Sequence, residues 1–287
     1  MKTRNAPAKI NLALDILGRR EDGYHDLRMV MQTVSLCDTV TVESGESGFS
    51  LRAEGLDLPA GKKSLEQRAA EAFFAAIGRP MPALTVTLEK HTPAYAGLGG
   101  GSADVAALLR ILRELYCPEL PEAELERIGF QVGSDMPFCV RGGTALAEGR
   151  GEILTDLPPL PPCHLVLCKP DFGIPTPALF ALADEKSPRR RPDIGAMTAA
   201  LGAGDLEGVA ARLGNVFEEY LPPEYREVFA IKSRLVELGA LNAAMSGSGP
   251  TVFGLFREAA AAEKAAETLK KDYAQTNLAE PVGKFED

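Results

Sequence analysis

Between an alternating segment, ALTVTLEK (83–90), and a helically periodic one, VAALLRILREL (105–115), the chain reads GLGGGSAD at 97–104. Four of those eight residues are glycine. Glycine loses more conformational freedom on ordering than any other residue, so such a cluster between two regular elements needs a reason. The flanking patterns predict a strand, then a helix with Val105, Leu108, Leu109 and Leu112 on one apolar face. Ser102 is the expected cap of that helix. The glycines ahead of it allow consecutive N–H groups to face one concavity at the positive end of the helix dipole, an anion site suited to phosphate. A tight, close-packed turn without a ligand accounts for the same residues. A Walker A loop needs Gly-Lys-Ser/Thr where this chain has Ser-Ala-Asp, and a dinucleotide fingerprint counted from Gly97 meets Ser102 at its last glycine.

A second glycine-serine loop, MSGSGPTVF (245–253), leads into another predicted strand. Gly247 and Gly249 permit close backbone approach there, although an ordinary turn has the same composition. Two such loops in one chain fit a polyphosphate better than one does.

The rest of the chain sets the frame. Its 287 residues allow one large domain or two ordinary ones, and 45% hydrophobic with 25% charged residues is a globular composition. Asn11 and Asp15 interrupt the apolar run of MKTRNAPAKINLALDIL, which makes it a poor signal peptide, and no apolar run approaches the roughly 18 residues that span a bilayer. A cytoplasmic protein is expected. A formal charge of −9 argues against broad binding to nucleic acid or anionic membranes, and the one basic run, KSPRRRP (186–192), reads as a solvated loop. Five scattered cysteines, without a CxxC pair or close Cys/His spacing, read as reduced core residues rather than a metal site or disulfide framework.

Strand signals dominate the first part: AKINLALDI, MVMQTVSL, TVTVES and GFSLRAE. KKSLEQRAAEAFFAAIG then reads as a helix, with Ser64 and Gln67 in capping-box spacing and Gly78 as its stop. PEAELERIGF is a short helix, GTALAEGRGEIL a hairpin, and DLPPLPPC (156–163) a stiff connection. Beyond it, HLVLCKP and TVFGLF read as strands, with helices near 193–202, 205–213, 223–239 and AAAAEKAAETLKKDY, and an edge strand in NLAEPVGKF. Strands and helices are mixed rather than strictly alternating, which predicts an α+β fold. Two domains are expected, 1–157 and 158–287, with a small-molecule site in the cleft at their junction.

Three segments in order, APAKINLAL, PAYAGLGGGSADVAALL and MSGSGPTVFGLF, resemble the signatures of the GHMP kinases, and the resemblance spans essentially the whole chain. It implies a two-domain α+β fold and ATP-dependent phosphoryl transfer to an alcohol, with Mg2+ accompanying ATP. REDGYH, GSDMPF and KPDFGIPTPALF resemble the members that act on a cytidine-diphosphate-linked methylerythritol in non-mevalonate isoprenoid synthesis. The resemblance assigns Lys9 and Asp135 to catalysis. It assigns Lys90, Gly97, Leu98, Gly99, Gly100, Gly101, Ser102 and Ala103 to ATP, and Asn11, Tyr24, His25, Thr176, Phe180, Gly247 and Ser248 to the small-molecule acceptor. No nucleic-acid or membrane partner is expected, and the chain is expected to be a monomer or homodimer.

The chemistry of the side chains agrees with these assignments. A carboxylate can receive the acceptor's proton and a lysine can orient it and offset phosphate charge. Tyr24 and Phe180 can sandwich a pyrimidine across the cleft while His25 bonds its edge. Blander readings stay open: Asp135 as a helix cap before Met136 and Pro137, Lys9 as a solvated strand residue, Tyr24 as a turn residue, Phe180 as core. Tyr95 stands where the family pattern has a small residue, Ser64 where it commonly has asparagine, and Ala103 where it often has serine. The competing functions are a kinase of the same family acting on mevalonate or homoserine, a non-catalytic nucleotide binder, and a decarboxylase on the same scaffold.

Overall fold

The computed structural model of the chain describes residues 1–53 and 62–285. Two long strands open it, β1 (Lys2–Arg19) and β2 (His25–Ser44), followed by β3 (Phe49–Ala53). MVMQTVSL and TVTVES, expected as two strands, are one, because neither glycine nor proline separates them and the intervening Asp38 is satisfied within the fold. Glu54, the last residue of the expected strand GFSLRAE, lies outside the described residues.

Helix α1 (Leu65–Ala76) is capped by Ser64, whose hydroxyl accepts the Gln67 N–H at 3.1 Å. The Gln67 side chain donates to Glu71 at 3.1 Å, so only half of the capping box is made. Gly78, at φ 64°, ends the helix as predicted. There follow β4 (Leu84–Glu89), α2 (Gly100–Tyr116), α3 (Glu122–Phe130) and α4 (Met136–Arg141). The expected hairpin is β5 (Thr144–Gly149) and β6 (Ile153–Asp156), with left-handed glycines at 149 and 151 in its turn.

After β7 (His164–Lys169) comes α5 (Thr176–Glu185), which periodicity did not reveal. Its prolines do not oppose the helix: Pro175 sits at the N-cap and Pro177 in the first turn, where a missing N–H costs no helical bond. Asp193 caps α6 (Ile194–Gly202) and Asp205 caps α7 (Leu206–Ala211). Then come β8 (Gly214–Asn215) and α8 (Glu227–Glu237). The helix expected from 223 starts later because Pro222 and Pro223 set a 3-10 turn, Pro223–Tyr225, ahead of it. β9 (Asn242–Met245), β10 (Val252–Phe256), α9 (Ala259–Leu269) and β11 (Gln275–Ala279) complete the chain.

Contacts divide the molecule into two units. The first comprises Met1–Ala8, Cys37–Thr92 and Gly99–Arg141. In it β4 pairs antiparallel with Thr39–Ser44 of β2 and parallel with β3, and α1 to α4 pack together around Phe73, Leu108, Leu109 and Phe138, all fully buried. The second comprises Lys9–Leu36, Pro93–Leu98 and Gly142–Asp287. It holds an antiparallel sheet in the order β11-β7-β10-β9, with β11 as the predicted edge strand and α8 and α9 against it. There too, Leu27–Gln32 of β2 pair with β5, and Ala13 and Leu14 of β1 pair with β8. DLPPLPPC runs within this second unit.

Burial from Ala8 to Ile16 is continuous, so both faces of β1 are covered there. The polar residues of the AKINLALDI alternation are therefore not solvated: Lys9, Asn11 and Asp15 are all buried. Nor is the whole basic run solvated, since Arg191 donates to the Asp15 carboxylate at 2.8 Å and to the Ile16 carbonyl at 2.7 Å. Cys163 and Cys168 are buried thiols, and burial pushes them up to about 12 and about 11. Among the described residues no helix is long and apolar enough to cross a membrane.

Candidate active site

The glycines of GLGGGSAD answer to different causes. Gly99 is the N-cap of α2 at φ 67°, a left-handed conformation that glycine takes at little cost. Ser102, the expected cap, therefore lies inside the first turn, because the cap is three residues earlier. A Cβ on Gly100 would stand 3.0 Å from Thr92 Cγ2, so packing also explains that glycine. Gly101 is exposed, and a Cβ there would meet only Leu65 Cδ1, at 3.6 Å. The fold supplies no reason for glycine at 101, which leaves open space for a ligand beside the first turn. The first intrahelical donor is the Ala103 N–H, 2.9 Å from the Gly99 carbonyl, so the amides of Gly100, Gly101 and Ser102 precede the helical ladder. A helix of 17 residues thus presents open amides and its positive end at one point, which suits an anion.

Beside this turn lies a charged cluster. The Lys90 ammonium donates to Asp38 and, at 2.5 Å, to Asp104. Asp38 is fully buried and also accepts the N–H groups of His91 (2.6 Å) and Thr92 (2.7 Å). Asp104 is 2% exposed and its Oδ1 has no hydrogen-bond partner among the described residues. Burial pushes Asp104 up to about 7, against the pull of Lys90; Lys90 itself loses basicity to burial but gains more from Asp104 and Asp38, so it ends above its ordinary value. Lys90, read from the sequence as a nucleotide contact, here has its ammonium on two carboxylates. Sequence reasoning missed both acids, though each leaves a trace. Asp104 stands four residues before Leu108 on the apolar face of α2, and Asp38 shares the inward register of β2 with Val40 and Val42.

Also in the first unit, Asp135 immediately precedes α4, and its carbonyl accepts the Cys139 N–H at 3.1 Å. Pro137 in the first turn completes the helix entry anticipated for GSDMPF.

In the second unit Lys9 is 4% exposed, which overturns its reading as a solvated strand residue. Its ammonium donates to the Asn11 side-chain carbonyl at 2.9 Å, its backbone N–H to the Leu98 carbonyl at 2.9 Å, and Asn11 in turn donates to Met29 Sδ at 3.4 Å. Gly97 meets the second glycine loop directly: a Cβ on it would lie 2.1 Å from the Ser246 carbonyl, and Ser246 Oγ donates to the Gly97 carbonyl at 2.9 Å. A Cβ on Gly247 would lie 2.9 Å from the Gly97 carbonyl and 3.4 Å from Lys9 Nζ. These two glycines are thus required by close contact between the loops. Ser248 Oγ and Thr176 Oγ1 share a hydrogen bond of 2.6 Å. Lys9, Asn11, Gly97, Leu98 and Gly247 are brought together, and Thr176 and Ser248 form a second pair.

The expected sandwich of Tyr24 and Phe180 across two domains is replaced by a different arrangement. Both rings belong to the second unit, and the ring stacked on Phe180 is that of His25, at 4.5 Å between centroids and 20° between planes. Asp184, one turn beyond Phe180 on α5, holds His25 Nε2 at 2.8 Å. Phe180 is half-buried, edge-on to Phe217 at 5.0 Å, so it is not simply a core residue. Tyr24 remains half exposed and carries the Arg150 guanidinium 3.5 Å over its ring.

The glycine turn with open amides opens α2 in the first unit, while the buried lysine on β1 and the second glycine loop, in contact with Gly97, belong to the second. The GHMP kinases N terminal domain matches residues 64–143, and the GHMP kinases C terminal domain matches 197–275. The chain belongs to the GHMP kinase family, and the expected α+β fold is that family's. Two relatives, from Pelotomaculum thermopropionicum and Moorella thermoacetica, are each named 4-diphosphocytidyl-2-C-methyl-D-erythritol kinase. The first is 46% identical over 94% of both chains, the second 44% identical over 96% of both. A crystal structure of 4-(cytidine 5'-diphospho)-2C-methyl-D-erythritol kinase superposes with a TM-score of 0.81 at 34% identity, over 98% of this chain and 100% of that one. Homoserine kinase from Cytophaga hutchinsonii shares the fold, with a TM-score of 0.75 at 17% identity over 98% of this chain and 94% of that one.

Proposed function

We propose that this chain transfers the γ-phosphate of ATP to the 2-hydroxyl of 4-diphosphocytidyl-2-C-methyl-D-erythritol, a step of the non-mevalonate route to isoprenoid precursors, in the cytoplasm. The observation that carries this reading is the buried Lys9 ammonium, held by Asn11 and seated against the Gly97 and Gly247 backbones. A lysine is almost never fully buried without a partner or a task, and this ammonium donates to the Asn11 side-chain carbonyl. Seated against the Gly97 and Gly247 backbones, its positive charge is placed to meet an incoming phosphate.

Transfer to an alcohol requires in-line positioning, neutralisation of phosphate charge and a group that takes the hydroxyl proton. In this proposal Asp135 takes the proton and Lys9 offsets the charge gathering between donor and acceptor. The amides of Gly99, Gly100, Gly101 and Ser102, with Gly97, Leu98 and Ala103 lining the turn, cradle the phosphates, and the openness at Gly101 fits that role. Lys90 belongs to the same phosphate-binding apparatus. Mg2+ bound along with the nucleotide would help neutralise the phosphate charge. Asn11, Tyr24, His25, Thr176, Phe180, Gly247 and Ser248 bind the acceptor, with His25 and Phe180 as a preformed aromatic pair beside which a cytosine is recognised. We retain 1–157 and 158–287 as the two modules; the family models fall one on either side of DLPPLPPC. The working form is a monomer or homodimer.

The test is ADP release by purified protein with ATP and, separately, the cytidyl acceptor, mevalonate and homoserine. Turnover is expected with the cytidyl acceptor alone, and Asp135→Asn is expected to lower kcat by roughly 10²-fold or more, as loss of a general base does. Turnover with mevalonate or homoserine instead, or ATP binding with no turnover on any acceptor, overturns the reading.

A further inference from the structure

Tyr95 is the one non-glycine residue with a positive φ among the described residues, at 52°. For an L-residue the left-handed region crowds Cβ against the backbone, and a bulky side chain is a genuine outlier there. Burial ordinarily offsets such a cost, yet Tyr95 is 86% exposed. Its hydroxyl and ring have no hydrogen-bonding or stacking partner among the described residues.

The backbone at 95 is not free to relax. On its C-terminal side the Ala96 carbonyl accepts the Thr251 N–H at 3.3 Å, and Gly97 is clamped between the Ser246 carbonyl and hydroxyl. Pro93 stiffens the approach from the other side. A glycine at 95 would hold the same conformation without strain, so the tyrosine loses stability and exposes an aromatic ring for no gain visible in the free protein. Observed strain at an exposed position next to a phosphate-handling turn points to function.

The surroundings indicate which ligand. A Cβ built on Gly173 would lie 3.5 Å from the Tyr95 Cβ. Gly173 opens the segment that enters α5, the helix carrying Thr176 and Phe180, and Thr176 bonds Ser248 of the second glycine loop. The Tyr95 ring thus stands on the rim formed by the Gly97 turn and the start of α5, two residues from the phosphate loop. We propose that Tyr95 is a specificity-determining contact for the reacting end of the acceptor, its ring packing on the methyl-bearing polyol rather than on the nucleobase or on ATP. This rests on the kinase reading above. A polyol with a branching methyl offers an apolar C–H surface that an aromatic face covers while excluding water.

Wild-type turnover with the cytidyl acceptor is measured first; its absence overturns the kinase reading and this inference with it. Given turnover, Tyr95→Gly is expected to raise the acceptor KM about three- to tenfold, the range a single aromatic contact supports. The ATP KM and the inhibition constant of CDP, which lacks the polyol, stay within about twofold, and the melting temperature is not lowered because the strain is removed. Tyr95→Phe keeps near-wild-type values, and Tyr95→Asn, tolerant of the left-handed region, behaves as Tyr95→Gly does. An unchanged acceptor KM in both the Gly and Asn variants, a rise in the ATP KM, or a CDP constant that rises in step with the acceptor KM overturns the assignment.

Discussion

Asp104 shows how one residue ties the glycine turn to the body of its unit. It lies in the first turn of α2, reaches Lys90, and through that ammonium meets Asp38, which in turn holds the amides of His91 and Thr92. Burial pushes Asp104 up to about 7, well above the ordinary carboxylate range, against the pull of Lys90 and with a smaller push from the neighbouring Asp38 carboxylate. Because the folded-state value is raised, the folded form holds more protons than the unfolded form between about pH 4 and 7, and this contribution to stability is lost as pH rises through 7. Asp104→Asn removes that dependence. Urea denaturation from pH 5 to 8 should show wild type losing stability relative to the variant, by up to about 1.4 kcal/mol per pH unit, the ceiling for one proton. Parallel profiles would show that Asp104 stays ionised throughout. The sequence contained both acids in plain view, but which of its many carboxylates point inward depends on strand register and helix phase.

At the scale of elements, α2 and the loops before it divide one glycine motif into two kinds of position. Gly97→Ala puts a Cβ 2.1 Å from the Ser246 carbonyl at φ 76°, so it is expected to cost a few kcal/mol and lower the melting temperature by several degrees. Gly101→Ala places its methyl in ordinary contact with Leu65, so stability holds within about 1 kcal/mol while the KM for ATP rises severalfold. Thermal melts and steady-state kinetics on the two variants separate packing from ligand approach, and a Gly101→Ala enzyme with unchanged ATP kinetics would remove that glycine from the site. The glycine run was legible in the sequence; the reason for each glycine was not, because the Gly97 partner lies about 150 residues away in the chain. Helix α5 makes the same point. Local pattern marks no element there, yet one turn of it sets Phe180 and Asp184 at ring face and ring nitrogen of His25, 155 and 159 residues earlier.

For the molecule as a whole, binding of ATP to the folded chain alone must raise its stability by mass action. At 100 times the dissociation constant the gain is about 2.7 kcal/mol, a rise of several degrees in melting temperature. Asp135→Asn should keep that rise while losing turnover, since the phosphate contacts proposed above do not include the aspartate; a variant that loses both would make Asp135 part of nucleotide binding. The α+β class, most element positions, the three signature segments and the family they indicate were determined by the sequence itself, because local propensity, hydrophobic period and turn chemistry are written in neighbouring residues. Tertiary structure alone decided that β2 runs unbroken past Asp38, that Lys9 is buried, that Lys90 is taken by two acids, that His25 rather than Tyr24 lies on Phe180, and that Tyr95 is held left-handed. Each of these depends on a long-range partner and on what burial does to a charge or a backbone angle, and neither is encoded in the spacing of adjacent residues.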